Sequence, residues 1–373
     1  MRFCELAVLV IPIAACGSNH GSVTVDAANV VPDGPAVPAD AMLDAAPTPV
    51  GCDLGEQNDQ GNDDTVSGTA EATGLSFGGT TTTICGNIDS GHYDTMFNTV
   101  DVDSYAFAVA TEGDVLVSIT GTGLSAFDFA EVVLLDSQQN PLGFGTFLGG
   151  HGVLSAHVPA GNYEVSVDAS APADITAPVP YKVAITSDVA ATRCPKIAAA
   201  ASYTEARDSA ANDQAGNDVV TVSFDANGAV LALTAATTDL PEPTGLTITE
   251  ANFRISGTAK LPTAASPDDY LERDTYLIKT GAATNQPAIR LNWAGQSDFD
   301  YFLFTEVTNT TDTPEIVGES DQQMAGEDEF STFAVLPNTN YWLWIAPFAT
   351  NATSGPLLPA TYDASVCGET FTP

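Results

Sequence analysis

The chain has 373 residues, enough for two or three domains with substantial cores, and two is the expectation. Its 48 acidic residues oppose 10 basic ones for a formal charge of −38, and a field of that sign repels phosphate backbones and anionic headgroups, so nucleic acid is not an expected partner. Only 16% of residues are charged; Thr, Ser, Asn and Gly carry much of the polarity, which suits exposed strand faces and turns and points to an all-β exported protein.

Residues 1–16, MRFCELAVLVIPIAAC, read as a signal peptide rather than as structure, because the apolar stretch 6–15 is too short to span a bilayer as a helix. The stretch ends in Ile13-Ala14-Ala15-Cys16, which resembles the lipobox of bacterial lipoproteins. That resemblance implies a diacylglycerol on Cys16 and, with Gly17 rather than an aspartate following, an outer-membrane or cell-surface location with the membrane reached only through lipid. The alternative is an ordinary signal peptide cut nearby. Residues 17–50 contain no aromatic side chain and repeat Ala, Pro and Asp; they are expected to form a disordered tether with a coil-like reach of about 30–35 Å.

With Cys4 removed in the signal and Cys16 assigned to lipid, Cys52, Cys85, Cys194 and Cys367 remain. Four cysteines allow three connectivities. Pairing Cys52 with Cys85 and Cys194 with Cys367 is expected, since each bridge then brackets material within one proposed domain, 51–190 or 191–373. Such bridges belong to an oxidising compartment.

The two halves echo each other. "NDQGND" (58–63) returns as "NDQAGND" (212–218), and Asp101-Val102-Asp103-Ser104-Tyr105 matches Glu272-Arg273-Asp274-Thr275-Tyr276. Phe127-Asp128-Phe129 matches Phe299-Asp300-Tyr301, "VPAGNYEVSV" (158–167) matches "LPNTNYWLWI" (336–345), and Tyr181 matches Tyr362. Between these landmarks apolar residues alternate with polar ones, as Tyr163, Val165 and Val167 do, or run continuously as in "AEVVLLD". Asn227-Gly228 between two apolar runs signals a hairpin inserted in the second half. The expected fold is all-β, with two tandem antiparallel β-sandwich, jelly-roll-like domains after the tether.

These residues resemble the bacterial pre-peptidase C-terminal domain, a small β-sandwich similar to the collagen-binding modules of clostridial collagenases. Asn58-Asp59, Asp101, Asp103, Tyr105, Asp128, Gly161, Tyr163 and Tyr181 carry the likeness in the first half; the second half is more divergent. The resemblance implies a calcium site in the first copy, formed by Glu56, Asn58, Asp59, Asp101 and Asp103, although Leu54 replaces the first glutamate of the leader. Matching the Asn-Asp leaders puts Ala210 at the position of Glu56, so the second copy is expected to be less able to bind calcium. The alternative is that these acids only solvate a turn.

Catalytic patterns are weak. "GLSFG" (74–78) has the form of a hydrolase elbow, but no helix follows and a loop is expected around Ser76. "DSG" (89–91) has no second copy, and His151 and His157 lack metal-ligand companions. Aligning Tyr163 with Tyr341 sets Trp342 and Trp344 on the face opposite the core, either as a platform for sugar or protein or as a surface covered by the hairpin or the other domain. The expectation is therefore a non-enzymatic envelope lipoprotein presenting two binding modules for polysaccharide, protein or matrix. The alternatives are an accessory component of a secreted hydrolase and a structural spacer.

Overall fold

The computed structural model describes residues 51–368 except 57–69, 78–80, 89–100, 127–128, 140, 171–177, 189–192, 207–219, 225–229, 236–240, 250, 260–273, 284–285, 295–297, 308–313, 321–327 and 349–359. The signal, Cys16 and the tether lie outside these residues, as do Asn58, Asp59 and the DSG stretch. No helix among the described residues is long and apolar enough to cross a membrane. The only helical element among them is a single 3-10 turn, Leu124–Ala126.

In the first half, β1 (Leu54–Gly55), β3 (Thr81–Ile88), β10 (Val179–Asp188), β5 (Gly113–Thr120) and β8 (His151–Val158) form one sheet in that order. Facing it are β2 (Glu71–Phe77), β4 (Asp101–Val109), β9 (Gly161–Ser170), β6 (Phe129–Asp136) and β7 (Pro141–Thr146), also in order. The alternation read from the sequence fills the space between them: Val165 and Val167 of β9 meet Val117 and Ile119 of β5 and Val183 and Ile185 of β10 in one cluster.

The second half repeats this plan. One sheet has the order β11 (Tyr203–Thr204), β15 (Phe253–Ala259), β22 (Ala360–Cys367), β17 (Ala288–Trp293), β20 (Glu329–Thr332). The other has β14 (Glu242–Ile248), β16 (Asp274–Thr280), β21 (Asn340–Phe348), β18 (Asp298–Thr305), β19 (Ile316–Ser320). The inserted hairpin is present as β12 (Val220–Phe224) and β13 (Val230–Ala235), paired antiparallel.

Each sandwich is mixed rather than purely antiparallel. β1 pairs β3 and β2 pairs β4 in parallel, as do β11 with β15 and β14 with β16. The cause is the path of the chain: it switches sheets at each of its first strands, so successive strands of one sheet run in the same direction, with the inserted hairpin β12–β13 lying as a separate sheet between β11 and β15. β2 and β14 carry identical irregularities, with register shifts around Gly74 and Gly245, both at φ +68°. Thr73 and Thr244 donate from Oγ1 to Ala106 O and Leu277 O at 2.6 and 2.7 Å and accept from the amides of Leu75 and Leu246. Only glycine enters that left-handed conformation without strain.

The halves share a sheet. β7 meets β19 through the single pair Gly145–Gly318, turning two five-stranded sheets into one of ten strands. A Cβ on Gly145 would lie 2.1 Å from Val153 O, so only glycine lets β7 sit this close to β8. Nearby, Ser155 of β8 and Thr332 of β20 hydrogen bond at 2.6 Å. Behind them Arg290 of β17 reaches across: its NH2 group contacts Asp114 Oδ2 of β5 at 3.2 Å and Arg193 O at 3.0 Å. Its Nε donates to Cys194 O at 3.0 Å, and the guanidinium lies 4.2 Å from the Phe330 ring centre.

The cysteines pair as Cys52–Cys85 and Cys194–Cys367. The first ties β3 to the residues just before β1, and the second joins the start of the second half to the end of its last strand. Two disulfides place the folded chain in an oxidising environment, extracellular or periplasmic.

Candidate functional site

At the entrance to each sandwich, carboxylates converge on a buried tyrosine pair. Glu56 follows β1; its amide donates to Cys85 O at 2.9 Å and its Oε2 accepts from Asn87 N at 3.0 Å. Asp103, buried on β4, accepts from Tyr181 OH at 2.6 Å, and Tyr181 and Tyr105 share a hydroxyl contact of 2.6 Å. Burial first, and Asp103 second, push both tyrosine hydroxyls well above their ordinary range. Gly86 is required here, since a Cβ on it would lie 2.3 Å from Tyr181 OH.

The second half holds the same arrangement. Glu205 Oε2 accepts from Thr258 N at 2.9 Å, Asp274 accepts from Tyr362 OH, and Tyr276 and Tyr362 meet at 2.6 Å beside Gly257. Glu242 is buried and accepts from Tyr203 OH at 2.8 Å. The residue in the place of Glu56 is therefore Glu205 and not Ala210. Strand pairing decides: β1 and β11 lie against Ile84 and Ile255, which in turn face Val183 and Ala364. The similar Asn-Asp letters lie in segments of different offset. The same reasoning moves the β6 match by three residues, so that Ala130-Glu131-Val132 corresponds to Phe299-Asp300-Tyr301, because Val132 pairs with Val167 as Tyr301 pairs with Ile345. A signal for the true register was present in the sequence: Glu71-Ala72-Thr73-Gly74-Leu75-Ser76 returns as Glu242-Pro243-Thr244-Gly245-Leu246-Thr247.

Of the expected calcium ligands, Glu56 and Asp103 fall in one entrance cluster, Asp101 begins β4 opposite Ala169, and Asn58 and Asp59 lie outside the described residues. Asp103 spends one oxygen on Tyr181. Among the described residues no group of three or more His, Cys, Asp or Glu is arranged to hold a metal ion. Ser76 does not sit in a loop: it is on β2, the outermost strand, exposed and opposite Ala108.

The tryptophans do not form an exposed platform. Trp342 and Trp344 do occupy the face of β21 opposite the core, but they are 4% and 0% exposed. Trp344 meets Phe302 and Phe304 edge-on at 5.2 and 6.5 Å. The outer face of the long sheet carries buried apolar side chains on both sides of the joint, Val133, Leu135 and Phe144 among them in the first half. The polar face of one copy was a poor guide to the other because a strand buried on both faces loses its alternation.

An open cleft of about 550 Å³ lies instead on the first half. Thr120 at the end of β5, Thr122, Ser125 of the 3-10 turn, Phe147 and Pro180 and Lys182 of β10 line it. Its floor depends on glycine: a Cβ on Gly121 would lie 2.8 Å from Pro180 O, and one on Gly123 would lie 2.5 Å from Val179 Cγ1. The result is a mostly apolar lining, with the rings of Phe147 and Tyr181 beside one cation and a few hydroxyls, able to hold an extended ligand with an apolar face.

No family model and no curated protein matches the chain. Among solved structures it is similar to the pre-peptidase C-terminal domain of a collagenase from Bacillus anthracis, at 21% identity over 31% of this chain and 96% of that one, with a TM-score of 0.24. It is also similar to the exported protein XepA of PBSX, at 8% identity over 71% and 81% of the two chains, with a TM-score of 0.17. Superpositions at these scores carry no argument; the all-β sandwich assignment rests on the strands and their pairing.

Proposed function

We propose that this chain is an exported envelope lipoprotein without catalytic activity, anchored in the outer membrane or at the cell surface through Cys16. Its joined sandwiches present the Phe147–Lys182 cleft to a polysaccharide or an extended segment of a matrix protein. The cleft is the observation that carries this reading: two rings, a few hydroxyls and one cation converge in an opening large enough for several ligand units. The resemblance of the sequence to pre-peptidase C-terminal domains supports it. Calcium at Glu56 with Asn58, Asp59, Asp101 and Asp103 belongs to the same proposal as a structural ion. It predicts a higher melting temperature in millimolar calcium that is lost in Glu56→Gln.

The test is a glycan and matrix-protein array probed with residues 17–373, followed by titration of the best ligand. Phe147→Ala is expected to weaken binding at least about tenfold, the loss of a typical aromatic anchor, and, because the ring also packs against the core of the first half, to lower the melting temperature as well. Equal affinity for Phe147→Ala, Lys182→Ala and the parent refutes the cleft. A blank array favours the spacer reading, which has its own support in the sheet shared by the two halves and in the buried Arg290–Asp114 contact between them.

A further inference from the structure

Glu131 on β6 and Asp168 on β9 are direct cross-strand partners. Their neighbours Ala130, Val132, Val167 and Ala169 fill the core, so these two acids point to the opposite face of the long sheet. Both are buried, at 0% and 4% exposure. Neither oxygen of Glu131, nor Oδ1 of Asp168, meets a hydrogen-bond donor among the described residues. The carboxyls are nevertheless in contact with one another. Two bare carboxylates in a dry site repel; a proton between them converts that contact into a hydrogen bond.

The surroundings sharpen the point. β7 contributes Thr146, the partner of Glu131, and its hydroxyl is already given to Val317 O at 3.0 Å. β19 contributes Glu319, a further buried acid whose charge acts on Glu131 across the joint. Among the described residues no base figures among the groups that act on the pair. The joint beside it is held in the sheet by one residue pair, Gly145–Gly318, whereas β6 and β9 pair over eight.

We propose that Glu131 and Asp168 share a proton that keeps the β7–β19 joint closed, and that loss of this proton, which leaves two negative charges beside Glu319, opens it. Burial supports this assignment, raising Glu131 well above the ordinary carboxylate range and Asp168 to about 7. The sign follows from linkage. Asp168 keeps its proton in the closed state at pH values where an open state has released it, so closure is fully favoured in acid and weakens as pH rises through about 7.

The test is hydrogen exchange of the β7 and β19 amides across pH, corrected for intrinsic rates. The opening constant is expected to rise about tenfold per pH unit between about 5 and about 7 in the parent and to lose that rise in Asp168→Asn, apart from any share common to both proteins. His157 on β8, raised first by its hydrogen bond to Asp114, is present in both proteins, and the comparison of variant with parent removes its share. An identical pH dependence in Asp168→Asn overturns the proposal. So does closure at alkaline pH that requires only added calcium, which would make the bound species a cation. If Asp168→Asn fails to fold, infrared spectroscopy of the parent decides: a protonated carboxyl band that persists at about pH 6 supports the shared proton, and its absence refutes it.

Discussion

Replacing Arg290 by alanine should separate the two sandwiches energetically. The side chain is 5% exposed and its ion-pair partner Asp114 is 4% exposed. The substitution removes the contact to Asp114 at 3.2 Å, two bonds to carbonyls at 3.0 Å and the stacking on Phe330. Asp114 keeps Arg193 N at 3.2 Å and His157 Nδ1 at 2.8 Å, but it remains a buried carboxylate without its guanidinium. Breaking a buried pair in this way costs about 3–5 kcal/mol. With a urea slope of about 3 kcal/mol/M for a chain of this size, the midpoint should fall by about 1–1.7 M. Unfolding followed by tryptophan fluorescence reports the second half, which holds all three tryptophans, Trp293, Trp342 and Trp344. In parallel, Asp114→Asn and the double variant complete a cycle whose expected coupling exceeds about 1 kcal/mol. A fall of less than about 1 kcal/mol in Arg290→Ala, or strict additivity in the cycle, would show that the halves are held by something other than this contact.

Two further substitutions test the packing. Trp344→Ala empties a fully buried site and should cost about 3–5 kcal/mol in denaturant titrations while leaving ligand affinity unchanged; reduced affinity at unchanged stability would restore the platform. Gly257→Ala drives a Cβ to within 2.3 Å of Tyr362 OH and should cost about 1–3 kcal/mol, as should Gly86→Ala at Tyr181; melts that match the parent would mean the tyrosine pairs are not held as described.

Much of the fold was legible because period-two patterning and turn residues depend on local sequence. β9 and the inserted hairpin could both be read that way, and Tyr105, Tyr181, Tyr276 and Tyr362 revealed the duplication because each copy needs its tyrosine pair against a glycine. The disulfides followed from the division into halves. The registers of the leader and of β6 were misread, since letter similarity in polar segments carries no information about pairing, whereas Ile84 and Ile255 in the core do. Parallel pairing of β1, β2, β11 and β14 depends on which sheet the chain enters next, a long-range property. The burial of Trp342 and Trp344 and the meeting of Glu131 with Asp168 are likewise set by what lies across and above a strand. The Phe147 cleft was missed for the same reason, being assembled from β5, the 3-10 turn and β10, segments far apart in sequence.

A sheet of ten strands offers two free margins to other molecules, and here these are β2 and β14. Both carry a left-handed glycine and a broken ladder at the same place, Gly74 and Gly245, and β14 adds Pro243. A second copy trying to extend the array would meet amides and carbonyls out of step with its own. The chain thus joins two sheets internally yet resists growing into a fibre.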